Sequence, residues 1–316
     1  MTHLCLGGGS IRGICILGAL HYLYMTNKIT KITKLHACSI GSMIGILLIL
    51  NKTPKEIFDY LITVDFRKYW DFDISKINTQ FSILGQSIFN FYKEYMATLV
   101  DINITISELC HKYNTDINII TTCLNTRKTV IMNKDNFPNT KVIEAIIASS
   151  SIPFLFPPVK INDFYYVDGA VRNLCGCLDE TIDNDTIVIK IGEGQYKPED
   201  LKIDNFKDYA ITILKSMITH TSTTNNNKYC LNIISPQKFI GKHNFNDLTN
   251  TDKTDLFLSG LRQSEKFFKN LQTQDERYIQ SIKDSEITSD AGSSEDSENS
   301  KEETKDSENI NHEAIE

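Results

Sequence analysis

The sequence has no apolar run long enough to cross a membrane. Its most apolar stretch, residues 40–50, is well short of the ~18 residues that a membrane span needs, and it predicts a buried core helix instead. Residues 1–20 contain three consecutive glycines and Arg12 where a signal peptide would have a clean apolar segment. We therefore expect no secretory signal and a cytoplasmic location.

The cysteines lack the spacing of a metal site. Most of the eight lie inside apolar segments, as reduced core cysteines do. Cys175 and Cys177 are close together, but no second Cys/His pair at ligand spacing accompanies them. The sequence therefore predicts reduced thiols, no metal site and no cofactor.

Residues 284–316 lack aromatic side chains and contain two basic residues against twelve acidic ones. Such a segment buries too little apolar surface to order itself, so we predict a disordered acidic tail. The rest of the chain, residues 1–283, then has a slight basic excess and forms one predicted folded domain. A mildly basic body is a weak indication of an anionic surface as partner. We expect no nucleic-acid partner.

Predicted strands and helices alternate along the chain, which indicates an α/β fold with a mainly parallel central sheet. The predicted strands are residues 3–6, 35–38, 117–123, 129–132, 164–167 and 186–191. The predicted helices are one ending near Met25 and those at residues 40–50, 58–95, 142–148, 206–220 and 254–271, with capping boxes at Thr53 and Thr105.

Ser39 lies between a strand and the apolar helix, with Ala37 two residues before it and Gly41 two residues after it. This is the G-x-S-x-G nucleophile elbow with alanine in the first glycine position. Strand and helix pass close together there, so both flanking positions need small residues. By itself the pattern fits equally well a small-residue turn with a buried serine.

Residues 7–13, GGGSIRG, join the first strand to the first helix. A glycine-rich turn leaves backbone N–H groups unpaired at a helix start, where they can bind a phosphate or an oxyanion. Dinucleotide binding is disfavoured because the spacing is not G-x-G-x-x-G and no acidic residue ends a second strand.

The segment 58–95 is rich in aromatic residues. We predict mainly core and groove lining, with a lipid-facing surface as the alternative, since aromatic rings suit membrane interfaces. The residues concerned are Phe66, Tyr69, Trp70, Phe72, Phe81, Phe89, Phe91 and Tyr92.

A third motif, SIPFLFPPVKINDFYYVDGA, occupies residues 151–170. Together with GGGSIRG and with ACSIGS at residues 37–42, in this order, it resembles the patatin-like phospholipase family over about residues 1–190. Two positions depart from the family pattern: Ser10 replaces the third glycine of the loop, and Ala37 replaces the first glycine of the elbow.

The resemblance implies a three-layer patatin-like fold and a Ser–Asp dyad with no histidine. Ser39 would be the nucleophile and Asp168 the general base. Backbone N–H groups would hold the oxyanion, and small residues would support the turns. The implied oxyanion donors are Gly8, Gly9 and Ser10, and the implied supporting residues are Arg12, Gly13, Ala37, Gly41 and Gly169. Arg12 would orient the glycine loop, contact a lipid phosphate or form a salt bridge.

The implied activity is a calcium-independent phospholipase A that touches membranes transiently. Lysophospholipid or neutral lipid would use the same dyad, and the sequence leaves the substrate open. An inactive lipid-binding module is a further alternative, which the intact Ser39 and Asp168 disfavour. The Ile-, Asn- and Lys-rich composition indicates an AT-rich genome, such as that of a large DNA virus.

An ordinary α/β-hydrolase with a Ser-Asp-His triad is the other enzyme hypothesis. His220 and His243 follow Asp168 in the required order. That fold, however, places its elbow much deeper in the chain, and neither histidine lies in a recognisable motif. His36 belongs to the elbow strand and is poorly placed to act as the base.

Overall fold

The computed structural model describes residues 1–173, 185–192, 227–239 and 248–291, and the single positions 183, 203, 209, 212 and 213. The chain divides into two compact units, Met1–Phe267 and Phe268–Glu316. The strands are β1 (His3–Leu6), β2 (Lys34–Cys38), β3 (Asp116–Cys123), β4 (Lys128–Met132), β5 (Val159–Ile161), β6 (Phe164–Asp168), β7 (Thr186–Gly192) and β8 (Cys230–Ile234). The helices are α1 (Gly13–Met25), α2 (Ile40–Ile49), α3 (Pro54–Thr63), α4 (Ile77–Gln80), α5 (Asn90–Ala97), α6 (Ile106–Tyr113), α7 (Val142–Ser150) and α8 (Asn250–Ala291).

All eight strands form one sheet in the order β5-β6-β3-β2-β1-β7-β8, with β4 also paired to β3. The run β3-β2-β1-β7-β8 is parallel, whereas β4, β5 and β6 add antiparallel pairs. The prediction of an α/β fold with a mainly parallel sheet and flanking helices is therefore confirmed. No helix among the described residues is both long enough and apolar enough to span a membrane.

One edge of β3 is shared by two strands that meet end to end. Strand β2 pairs in parallel with β3 as far as Cys38↔Ile120, and β6 pairs antiparallel with β3 from Thr121↔Asp168 onward. Strand β4 pairs with β3 across both stretches and so occupies the other edge. The last residue of β6 thus lies beside the last residue of β2, immediately before Ser39.

A tight hairpin brings β6 back along this edge. Strands β5 and β6 are joined by Asn162 and Asp163, which both have positive φ, at 48° and 66°. Two consecutive residues with positive φ are typical of the type I′ turn, and Asn and Asp tolerate that conformation best after glycine. The local sequence therefore determines the reversal that carries Asp168 to the end of β6.

Helix α2 packs closely against the sheet through two glycines. A Cβ on Gly41 would lie 2.6 Å from the carbonyl oxygen of Leu6 and 2.7 Å from that of Gly7. A Cβ on Gly45 would lie 2.7 Å from the Leu35 side chain. The small residue expected at position 41 is thus required, because the end of β1 touches the start of α2.

Helices α1 and α8 also approach each other through glycines. A Cβ on Gly18 would overlap the carbonyl oxygen of Phe257, and one on Gly260 would overlap that of Cys15. Neither position has room for a side chain, since the colliding atoms belong to the backbone.

We expect Gly18→Val to lower the free energy of unfolding by about 1–3 kcal/mol, because overpacking forces the helices apart. Urea denaturation measures the change. Arg262→Ala is the control on α8, since its side chain is exposed. Equal urea-denaturation midpoints for Gly18→Val and wild type would show that α1 and α8 have room for a side chain at position 18.

The prediction of a continuous helix over residues 58–95 is wrong. Between α3 and α5 the chain forms three 3₁₀ turns and the four-residue α4. Polar side chains close the turns: Asp71 accepts hydrogen bonds from Gly85 N and Ser87 Oγ, both at 2.9 Å, and from Lys76 Nζ. Asp and Ser side chains compete with helical backbone bonding in this way.

The helix predicted at residues 254–271 is longer in the structure. Helix α8 begins four residues before the predicted start and extends to Ala291, so its end overlaps the predicted tail of residues 284–316. The remainder of that tail, residues 292–316, and most of the helix predicted at 206–220 lie outside the described residues. The division into a domain over 1–283 and a tail therefore stays a prediction.

Candidate active site

Ser39 occupies a strained turn between β2 and α2. Its φ and ψ are 54° and −129°, in a region that residues with a side chain seldom occupy. Two neighbouring serines hold this conformation: Ser39 N donates to Ser149 Oγ at 2.8 Å, and Ser42 Oγ donates to Ser39 O at 2.6 Å. Ser149 Oγ in turn donates to Ile120 O at 2.6 Å, which ties the turn to β3.

Asp168 accepts a hydrogen bond from the Ser39 hydroxyl. Ser39 Oγ lies 2.7 Å from Asp168 Oδ2, while Asp168 Oδ1 accepts from Ala170 N at 2.8 Å and lies 3.7 Å from Cys38 Sγ. Both residues are almost completely buried, with 5% of Ser39 and 2% of Asp168 exposed. The structure thus brings together the two residues that the sequence singled out as a nucleophile and a base.

Burial raises the pKa of Asp168 to about 6, because the charged carboxylate loses its hydration. The hydrogen bonds from Ser39, Ala170 and Cys38 lower the pKa and offset part of this effect. A carboxylate with such a pKa is mostly ionised at pH 7 and accepts a proton more readily than an exposed aspartate.

Gly169 lets the chain turn away directly after Asp168. A Cβ at this position would overlap the carbonyl oxygen of Ile120 and lie 2.9 Å from Cys38 Sγ. Any side chain there would force the backbone next to Asp168 to shift. The supporting role of Gly169 stays a prediction, and this clash is a physical reason for it.

The glycine loop lies next to the elbow. Ser10 has a φ of 51°, a left-handed conformation that a glycine would adopt without strain. Gly9 O accepts from Arg12 N at 3.1 Å and from Arg12 Nε at 3.4 Å, so Arg12 contributes to holding the loop. A Cβ on Gly13 would overlap the Ile40 side chain, which places the start of α1 against the residue that follows Ser39.

The loop also has free hydrogen-bond donors. Within the described part of the chain, the N–H groups of Gly8, Gly9 and Ser10 have no hydrogen-bond acceptor. Ser10 lines the same cleft as Ser39. Donors of this kind can stabilise negative charge that develops on a substrate oxygen.

An apolar cleft opens at Ser39. Small-molecule sites are commonly concave and lined mainly by apolar side chains. The cleft is lined by Ser10, Ser39, Ile40, Met43, Trp70, Leu84, Ile88, Phe89, Phe91, Ser150, Ile152, Leu155 and Phe156. Ser150 Oγ is buried and has no hydrogen-bond partner among the described residues, so it is available to a polar group of a bound molecule.

Sequence reasoning missed Ser149 and Ser150. Both precede the proline-rich motif in a run of three serines, but a serine run by itself predicts no contact with a residue 110 positions away. For the aromatic segment, the prediction of core and groove lining is confirmed for Phe89 and Phe91, which are buried and line the cleft. Phe72 and Phe81 are exposed, and the lipid-facing alternative stays a prediction.

No histidine among the described residues contacts the Ser39–Asp168 pair. His36 is buried, and its Nδ1 lies 2.9 Å from His3 Nε2. His220 and His243, the histidines of the triad hypothesis, lie outside the described residues.

Comparison with known proteins identifies relatives of this chain. The family model described as Patatin-like phospholipase matches residues 4–176. A probable lipid hydrolase of Invertebrate iridescent virus 6 is 33% identical over 178 residues, which cover 54% of this chain and 60% of that protein. A protein of Acanthamoeba polyphaga mimivirus is 26% identical over 196 residues, which cover 50% of this chain and 51% of that protein. The chain therefore matches little more than half the length of these two viral relatives.

Among solved structures, VipD from Legionella pneumophila aligns with a TM-score of 0.49 and 13% identity, covering 85% of this chain and 67% of that chain. This similarity is too low to support a conclusion about the present chain. The match of the family model to more than half of the sequence does support one. The chain belongs to the patatin-like phospholipase family.

Proposed function

We propose that the protein is a lipid acyl-ester hydrolase, of the calcium-independent phospholipase A type, that acts through Ser39 and Asp168. The observation that carries the proposal is the 2.7 Å hydrogen bond from the Ser39 hydroxyl to a buried carboxylate with a raised pKa. A serine hydroxyl is a weak nucleophile until a neighbouring base takes its proton, and Asp168 is the base within reach.

In the first half of the reaction, Ser39 Oγ attacks the ester carbonyl carbon while its proton passes to Asp168 Oδ2. The tetrahedral intermediate then collapses, the bond to the alcohol oxygen breaks, and Asp168 returns the proton to that oxygen. The products of this half-reaction are a free alcohol, such as a lysophospholipid, and an acyl group bound to Ser39.

In the second half, a water molecule attacks the acyl-enzyme and gives its proton to Asp168. Breakdown of the second intermediate releases the fatty acid, and the proton returns to Ser39 Oγ. One carboxylate therefore serves as base and then as acid in each half-reaction. No histidine takes part.

The N–H groups of Gly8, Gly9 and Ser10 are the proposed oxyanion donors. Removing one such donor from other hydrolases costs about 3–4 kcal/mol of transition-state stabilisation. Because these donors are backbone N–H groups, serine in place of glycine at position 10 retains the donor. Ser10 also has the left-handed conformation of the turn. The apolar cleft beside Ser39 provides a place for the acyl chain.

Exposed phenylalanines close to the cleft support peripheral contact with membranes. Phe81 and Phe154 are 66% and 47% exposed, and both have positive φ, at 60° and 66°. A bulky residue in this conformation is strained, and strain of this kind concentrates at functional sites. Hydrogen bonds from Ile83 N to Phe154 O and from Leu84 N to Leu155 O, both at 2.9 Å, connect their segments to the cleft wall.

We expect Phe81→Asn and Phe154→Asn to weaken binding to phospholipid vesicles several-fold and to leave turnover of a soluble monomeric ester unchanged. Asparagine tolerates the left-handed conformation, so the variants should fold at least as well as wild type. Vesicle sedimentation measures the binding. Met25→Asn is the matched control, since Met25 is 71% exposed at the end of α1. An equal loss in Met25→Asn would contradict a specific role of the two phenylalanines.

The test of the function is fatty-acid release, in the presence of a chelator, from phosphatidylcholine with a different acyl chain at each position. Release of one chain would identify the positional specificity. Activity only on lysophospholipid or triacylglycerol would be compatible with the Ser39–Asp168 mechanism but would contradict phospholipid as the substrate. No hydrolysis of any acyl ester, combined with vesicle binding, would favour an inactive lipid-binding module.

Its viral relatives support a viral origin for the protein, which would act on lipids inside a host cell.

A further inference from the structure

Three potential metal ligands meet on β1 and β2, beneath the active site. His3 and Cys5 are alternate residues of β1 and therefore point to the same face of the sheet, and Cys5 pairs with His36 on β2. His3 Nε2 lies 2.9 Å from His36 Nδ1 and 3.8 Å from Cys5 Sγ. Among the described residues, these side chains are the group of His, Cys and carboxylate residues whose ligand atoms all lie within 4.8 Å of one another.

We propose that His3, Cys5 and His36 bind a transition-metal ion of the Zn²⁺ class. The proposal is independent of the hydrolase function. It departs from the sequence-based prediction of no metal site, because the ligands come from two strands some thirty residues apart. Cys175 and Cys177, the pair considered in that prediction, are not part of the proposed site.

The distances suit such an ion. Bonds of about 2.0–2.1 Å to nitrogen and 2.3 Å to sulfur, at tetrahedral angles, place two nitrogens about 3.3 Å apart and a nitrogen and a sulfur about 3.6 Å apart. The observed separations of 2.9 and 3.8 Å differ from these by less than half an ångström. The third separation, between the His36 ring nitrogen and Cys5 Sγ, is within 4.8 Å.

Hydrogen bonds beyond the three ligands orient His3. Its Nδ1 lies 2.7 Å from Thr186 Oγ1, and that hydroxyl donates its proton to Asp183 Oδ1 at 2.5 Å. Because Thr186 donates its hydroxyl proton to Asp183, the proton in the hydrogen bond between Thr186 Oγ1 and His3 Nδ1 belongs to His3 Nδ1. The lone pair of His3 Nε2 therefore points toward His36 and Cys5. Metal-binding histidines are commonly held by such a relay, in which the second ring nitrogen donates toward a carboxylate.

Binding would release one proton for each ion. The Cys5 thiol loses its proton to solvent and becomes a thiolate, while the Nδ1 proton of His36 moves to Nε2 of the same ring. Zn²⁺ and one thiolate leave a single positive charge in the site. The nearby carboxylates of Asp183 and Asp185 offset this charge, whereas the Lys34 ammonium group adds to it. A water molecule would supply the fourth ligand.

The place of the site indicates its effect. Cys5 lies three residues before Gly8, and His36 lies three residues before Ser39. An ion held between them would fasten β1 to β2 directly below the glycine loop and the elbow. Ligands that bind only the folded state raise its stability, so the metal would stabilise the domain without entering the reaction.

The test is titration of the full-length, chelator-treated protein with Co²⁺, followed by displacement with Zn²⁺. We expect one equivalent to bind, a near-ultraviolet thiolate-to-Co²⁺ charge-transfer band to develop, and the melting temperature to rise. Cys5→Ser should lose the band. Cys230→Ser should retain it, although Cys230 packs against the buried cluster of Cys5 and Val188.

Two further measurements separate loss of the site from loss of folding. X-ray absorption of the wild-type Zn²⁺ complex should show two nitrogen ligands and one sulfur ligand, whether or not Cys5→Ser folds. The double variant Cys175→Ser/Cys177→Ser should bind the metal as wild type does. The proposal is overturned if no equivalent of metal is bound, if sulfur is absent from the coordination shell, or if the double variant loses the band.

Discussion

Ser39→Ala is expected to lower kcat on the lipid substrate by about 10⁴-fold or more, since removal of a serine nucleophile has effects of this size in other hydrolases. The change removes the only hydroxyl that donates to Asp168 in the described structure. It also removes one side-chain oxygen and leaves two hydrogen bonds of the Ser39 backbone in place, the one that Ser39 N donates to Ser149 and the one that Ser39 O accepts from Ser42. The elbow should therefore keep its shape, and the melting temperature should change little.

Fatty-acid release measures the effect, with two controls. Ser107→Ala removes a serine from α6, remote in sequence from the three motifs, and should keep wild-type activity. His220→Ala tests the triad hypothesis, and full activity in this variant agrees with a dyad. If Ser39→Ala retained activity within tenfold of wild type, the proposed nucleophile would be wrong.

Asp168→Asn is expected to inactivate the enzyme and to stabilise it at the same time. An amide cannot accept the serine proton, so kcat should decrease by about 10³–10⁴-fold, as with other changes of a catalytic carboxylate to its amide. In wild type, kcat/KM should decrease as the pH is lowered through about 6, because protonated Asp168 is not a base. The pH profile of kcat/KM tests this.

The effect on stability has a definite sign. Burial raises the pKa of Asp168 from 3.8 to about 6 in the folded protein. The protonated side chain therefore favours folding below pH 4, and this contribution is lost as the pH rises from about 4 to about 6. A shift of this size corresponds to about 3 kcal/mol.

Since the amide does not titrate, the free energy of unfolding of Asp168→Asn relative to wild type should increase between pH 4 and 6 and then stay constant. Urea denaturation at several pH values measures this difference. Asp163→Asn is the control, because the Asp163 side chain is 91% exposed and surface substitutions change stability little. A difference for Asp168→Asn that does not vary with pH would show that burial has no such effect on this carboxylate.

The sequence predicted the site best at positions where a particular backbone conformation or a close approach of two segments is required. The elbow requires small residues beside Ser39, and the turn after Asp168 has no room for a side chain, so both leave a short, recognisable pattern. Six of the eight strands and the mainly parallel character of the sheet could also be predicted, from apolar runs that alternate with helices. Strands β5 and β8 were not predicted.

Contacts between distant segments could not be predicted in this way. The support that Ser149 gives to Ser39 depends on the approach of α7 to the elbow, and the pattern of a serine run contains no such information. The error over residues 58–95 has a local origin: aromatic residues do not by themselves determine a helix, and Asp71 forms hydrogen bonds that stabilise turns instead. His3, Cys5 and His36 are recognisable as a group only when the register of β1 and β2 is known.

The end-to-end meeting of β2 and β6 on β3 has a consequence for biosynthesis. Ser39 and Asp168 are 129 residues apart in the chain, and β3, which joins them, is itself made between the two. Pairing of such distant strands is a slow folding event, because a long loop must close first. A nascent chain that has not reached the hairpin of β5 and β6 contains Ser39 but not Asp168. On the proposed mechanism, the pair can therefore form only after more than half of the protein has been synthesised.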